Sequence, residues 1–109
     1  MNAILSVPLT ITPEAAARVA ELGLQAELGQ MLERCRQTIP GLTQLQVVHL
    51  EPYDTGCEVG IGIEASTDAV WGPGDTTRKS WNHWKLSTFP PQVWTCFTLF
   101  LQPTMNYAG

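Results

Sequence analysis

Charge is scarce in this chain. Asp, Glu, Lys and Arg make up 15% of its 109 residues, against about a quarter in an ordinary soluble domain. Cations are scarcer still: six Lys and Arg, scattered singly or in pairs, with a formal net charge of −4. Proteins that hold nucleic acid without sequence preference need clustered cations to displace counterions from phosphates, so a nucleic-acid partner is unlikely from the composition. Cysteine is thin as well. Cys35, Cys57 and Cys96 are odd in number and far apart, with no CxxC pair, which describes neither a disulfide framework nor a zinc site. No run approaches the 18 or so apolar residues of a bilayer span, and no basic segment leads into an apolar one at the start. The expectation is a single cytoplasmic domain over 1–109, with reduced thiols, no membrane and no metal or other cofactor.

What is present starts with hydrophobic residues, 44% of the chain, enough for one core without staples. The stretch Gln44–Ala65 holds two β-like runs joined at Pro52-Tyr53-Asp54-Thr55-Gly56, a turn in which Pro, Asp and Gly each favour a bend. In the second run Val59, Ile61, Ile63 and Ala65 alternate with Glu58, Gly60, Gly62 and Glu64, the period of two of a half-buried strand. In the first, Leu45 and Val47 fall on one face, Val48 and Leu50 on the other. It reads as an interior strand covered on both sides.

Before these, Ile4–Ile11 is a short β-branched run in which Pro8 lacks an amide donor, which places it at a sheet edge. Thr12-Pro13-Glu14 is a helix start: a cap, a first-turn proline and an acid near the positive end. The apolar stripe then changes sides near Gly23, so the spacing predicts two helices, 13–22 and 25–38, with Gly23 left-handed between them. Pro40-Gly41 closes the second. Ser66–Asp75 reads as loop. Residues 76–88 satisfy a helix, with Trp81 and Trp84 three apart, or an alternating strand, and the helix is preferred. Val93–Leu101 reads as a buried strand, with a short helix from Pro90 as its rival.

The order β-α-α-β-β-α-β predicts an α+β fold: an antiparallel sheet of about four strands with helices on one face, in the ferredoxin-like, split βαβ arrangement.

Two short resemblances sit in the chain. Asp54-Thr55-Gly56 resembles the catalytic tripeptide of aspartic proteases, in which two such aspartates share a proton. That family is nearly all β and sets the motif after an apolar strand, whereas Pro52-Tyr53 precede it here and 13–38 reads as helical. A turn explains the tripeptide. The segment Ile11–Gly23 is similar to the opening of A-type iron–sulfur carriers, which imply a close cysteine pair near the C-terminus. Only Cys96 is there, and helix-start chemistry accounts for the likeness.

No phosphate loop, nucleophile elbow or metal spacing occurs, and the reading leans away from an enzyme. The four tryptophans and the low charge point instead to a protein partner or to self-association, with a homodimer as one form. The interface expected from the sequence is Trp71 with Trp81 or Trp84, beside a trough over Gly60 and Gly62. The alternative is a small enzyme or ligand site around the 49–57 hairpin, built from His49, Glu51 and Asp54.

Overall fold

The computed structural model describes residues 7–50, 60–68 and 73–104, with the backbone alone at 73–75. Among them are four strands and four helices: β1 (Leu9–Ile11), α1 (Pro13–Leu22), α2 (Gln25–Thr38), β2 (Leu42–Leu50), β3 (Gly60–Thr67), α3 (Pro73–Thr88), α4 (Pro91–Trp94) and β4 (Phe97–Pro103).

The local signals in 12–41 act as their chemistry dictates. The Thr12 hydroxyl accepts from the Ala15 amide at 3.2 Å, capping α1. Gly23 takes φ 69°, its amide donates to the Ala20 carbonyl, and the Leu24 amide donates to that of Val19. That pair of bonds is the Schellman stop, and it turns the chain so that α2 can bury Leu28, Met31, Leu32 and Cys35. Gly41, at φ 67°, makes the next reversal into β2.

The sheet has the order β1-β2-β3-β4. β1 runs parallel to β2, β2 antiparallel to β3, and β3 parallel to β4. The α+β class and the one-sided helical cover stand, but the sheet is mixed, not antiparallel. In a split βαβ arrangement another strand lies between the two that a helix connects; here each connected pair is adjacent. The physical reason is that α1 and α2 together span the return from β1 to its immediate neighbour, a direct crossover. The same holds for α3 and α4 between β3 and β4.

Only one face of each strand enters the core. Leu45 and Val47 of β2, Ile61, Ile63 and Ala65 of β3, and Phe97 and Leu99 of β4 pack with Ala15, Val19, Met31, Cys35 and Trp81 from the helices. β1 lies at an edge, as Pro8 requires. Its Leu9 and Ile11 face the helices yet stay partly open, at the rim of the core. Several boundaries differ from the sequence reading: among the described residues β1 is confined to Leu9–Ile11, β3 runs on through Ser66 and Thr67, which the sequence reads as loop, and β4 ends at Pro103 rather than Leu101. β2 starts two residues earlier than Gln44, α3 begins at Pro73, and Val93 belongs to the short helix α4 with the strand beginning only at Phe97. The prolines at 90 and 91 explain the last: Pro91 occupies a first helical turn, where its missing amide costs nothing.

The candidate functional site: an open sheet face

The face of the sheet away from the helices carries the alternate residues: Gln46, Val48 and Leu50 from β2, Gly60, Gly62, Glu64 and Ser66 from β3, and Thr98, Phe100 and Gln102 from β4. None of them joins the core cluster. Across the strands, Val48 lies opposite Gly62 and Gly62 opposite Thr98, while Gln46, Glu64 and Phe100 form the adjoining row. β2 is interior in the sheet order, as the sequence reading expected, but no described helix or strand lies over Val48 and Leu50, which are half-buried.

Gly60 and Gly62 do lie on this face, but the trough above Gly62 is filled. A Cβ there would meet Phe100 Cε2 and Val48 Cγ2 at 3.1 Å and Leu50 Cδ2 at 3.2 Å. Three apolar side chains therefore close over one glycine, and Phe100 remains 39% exposed on top of them. The result is a small apolar plateau. At one end it gives way to a polar corner: the Thr43 hydroxyl donates to the Ser66 carbonyl at 3.1 Å and lies 2.6 Å from the Thr104 hydroxyl, and Gln102 Nε2 donates to Ser66 Oγ at 3.2 Å.

The tryptophans are placed differently from the expected interface. Trp81 is 1% exposed, inside the core. Trp84 is half-buried: the Arg34 guanidinium lies 5.2 Å from its ring centroid, and its ring meets Phe89 edge-on at 5.5 Å. Spacing of three put both rings near one helical face without saying which would point inward. Trp71 lies outside the described residues, as do Glu51 and Asp54. His49 is half-buried, shares the helix-side face with Leu45 and Val47, and is engaged in an interaction. It is the one residue of the expected polar site among the described residues, so that site lies outside them. They include no group of three His, Cys, Asp or Glu side chains able to hold a metal ion.

On the opposite side of the sheet lie two groups, Lys85 and Cys35, that burial perturbs. Lys85, 8% exposed, donates from Nζ to the Phe97 carbonyl at 2.7 Å and lies 5.4 Å from the Trp81 ring centroid. Burial pulls its pKa below the usual lysine value. Burial pushes the Cys35 thiol up to about 12, with the Trp81 indole and Arg36 acting weakly the other way. The indole approach is a polar contact only, because Trp81 Nε1 has no hydrogen-bond partner among the described residues. Cys35 is thus a protonated, inert thiol. The ammonium is tied to the backbone. Described residues line a depression of about 420 Å³ at Thr38, Thr76, Thr77 and Ser80, and another of about 280 Å³ at Ile11, Ala16, Val19, Gln25, Leu28, Gly29 and Leu32. Neither brings an acid, base or nucleophile together with a partner.

Phe100, Val48 and Leu50 are the site residues that sequence reasoning missed. The signal was present in the alternation of Thr98, Phe100 and Gln102, but it was masked while 93–101 read as one buried strand. No protein-family model matches the chain, and no curated protein or solved structure is detectably similar to it. No helix of the described residues is long and apolar enough to cross a membrane.

Proposed function

We propose that this chain is a non-enzymatic protein-association domain that works through its open sheet face and associates with itself. One observation carries the reading: Phe100, Val48 and Leu50 close over Gly62 on a face that supplies nothing to the core. An apolar plateau with an aromatic at its centre and polar groups at its edge is the anatomy of an interface core and rim. Aromatic anchors of this kind dominate interface energetics. Glu64 is the single charged side chain among the described residues of this face, so little charge must be desolvated when the face is covered.

Sedimentation of the full chain over a wide concentration range tests the proposal. Wild type is expected above its 12.0 kDa monomer mass. Phe100→Glu, which puts a carboxylate at the centre of the plateau, is expected to sediment as the monomer with an unchanged circular dichroism spectrum. A wild-type monomer at every concentration would overturn self-association.

A further inference from the structure

We infer that the self-associating form is a two-fold dimer in which β4 pairs antiparallel with β4 of a second copy, centred on Phe100; this rests on the association reading above.

The two edges of the sheet are unlike. β1 is three residues long and follows a proline, and short edges next to proline resist strand addition. β4 has seven residues, pairs with β3 without a bulge, and carries no charge in FTLFLQP. Its one proline stands at its last position and Lys85 caps one outward carbonyl, but the middle of its outer edge, from Leu99 to Leu101, carries neither proline nor charge.

Its hydrogen-bonding phase is fixed. The Ile61 amide donates to the Cys96 carbonyl, and at the other end the Thr104 amide donates to the Thr67 carbonyl. In a parallel ladder alternate residues bond to the neighbour. Residues 96, 98, 100, 102 and 104 therefore serve β3, and the peptide groups of Phe97, Leu99, Leu101 and Pro103 face outward. The bond from Lys85 Nζ to the Phe97 carbonyl agrees with this phase.

Those groups select a register. If Phe100 sits opposite its own copy, Leu99 pairs with Leu101 and exchanges both backbone bonds. Phe97 then faces Pro103 of the second copy. The Phe97 amide donates to the Pro103 carbonyl, while the Phe97 carbonyl faces the one residue that has no amide to offer. Lys85 already satisfies that carbonyl. No outward donor or acceptor is left over. Shifting the axis to Leu99 sets the Leu101 amide against the carbonyl that Lys85 holds. Shifting it to Leu101 strands the Leu99 carbonyl against Pro103. The central register also brings the two Phe100 rings together as a non-hydrogen-bonded pair, the geometry in which cross-strand aromatics lie nearest. It sets Thr98 against Gln102 and joins the two plateaus into one continuous surface.

Disulfide trapping reads the register directly. Cα atoms in a non-hydrogen-bonded pair lie about 4.5 Å apart, within the range a disulfide spans. In a Cys57→Ser, Cys96→Ser background, Phe100→Cys is expected to oxidise to a covalent dimer. A mixture of Thr98→Cys and Gln102→Cys chains is expected to cross-link, whereas Thr98→Cys alone is not. The mixed pair keeps the test decisive if Phe100→Cys fails to fold. Hydrogen exchange of the wild type is expected to slow at the Leu99 and Leu101 amides as concentration rises. A self-associating wild type that Phe100→Glu dissociates, but that cross-links at none of these positions, would overturn the β4 pairing and leave face association standing. A wild type monomeric throughout would overturn both.

Discussion

Lys85 and the Phe97 carbonyl form a bond in which a buried cation reaches the outer edge of the sheet, at 2.7 Å. The position tolerates an ammonium because its head lies over the Trp81 ring and meets a carbonyl oxygen. A negative head there would face the same oxygen with no compensation. Lys85→Glu is expected to cost about 3 kcal/mol, the scale of an unpaired buried charge, measured by urea unfolding. Lys85→Met, which keeps the stem, is expected to stay within about 1 kcal/mol of wild type, the scale of one net hydrogen bond.

Burial also makes Lys85 a source of pH dependence. Its folded pKa is lowered from 10.5. Between that lowered value and 10.5 the unfolded chain holds a proton the folded chain has shed, so stability rises with pH across the window. Below the window both states are charged and the burial penalty is felt in full. Lys85→Met is expected to remove this rise in a series of unfolding curves taken from pH 7 to 10.5.

Cys35 acts with the opposite sign. Its thiol is raised from 9.0 to about 12, so above pH 9 the unfolded chain loses a proton that the folded chain keeps. Stability then falls by roughly 1.4 kcal/mol for each further pH unit. Cys35→Ala is expected to start from a lower stability, because it opens a small cavity, and to lack this fall. Just below pH 10.5, where the two windows overlap, the slopes oppose each other in wild type.

The plateau makes its own prediction at Gly62. Phe100 can swing away from an added Cβ, but Val48 is branched at Cβ and held by its strand, so its Cγ2 cannot retreat freely. Gly62→Val is expected to destabilise the fold by about 2 kcal/mol, in the range of overpacking. Combining Gly62→Ala with Val48→Ala is expected to be less destabilising than the sum of the two single changes, because the same contact is relieved once. Denaturant midpoints of the four chains decide the sign of the coupling.

How much of this was legible beforehand depends on whether the signal was local. Thr12, Pro13 and Gly23 fix α1 and the start of α2 through bonds made within a few residues, and their boundaries follow from the sequence. The alternation of Ile61, Ile63 and Ala65 likewise identifies a strand and its buried face. Strand order is another matter. β-α-α-β can return beside its starting strand or leave a gap for another, and the same letters serve both outcomes. Tertiary packing of α1 and α2 on β2 and β3 makes the choice. The plateau was half-visible: Gly62 was on the right face, but what fills it comes from residues 12 to 14 positions before it and 38 after it. Trp81 and Trp84 were placed together but not oriented, since spacing on a helix does not say which ring faces inward.

Gly23 and Gly29 separate backbone from packing more cleanly than any other pair in the chain. An added Cβ meets nothing within 4 Å at either position, so neither substitution is limited by space. They differ in conformation. Gly23 holds φ 69° to end α1, whereas Gly29 lies inside α2. For an L residue the left-handed region costs roughly 1–2 kcal/mol, and Gly23→Ala is expected to lose about 1 kcal/mol, with Gly23→Asn losing less because its side chain tolerates that region. At Gly29 the sign reverses. Glycine in a helix interior gives up more backbone freedom on folding than alanine, so Gly29→Ala is expected to gain about 0.5–1 kcal/mol. Thermal or urea unfolding of the three variants should therefore bracket wild type on both sides. If Gly29→Ala instead lost stability, the depression it lines beside Leu28 and Leu32 would have to be a space the protein keeps open at a cost, and α2 would need to be read as something more than cover for the sheet.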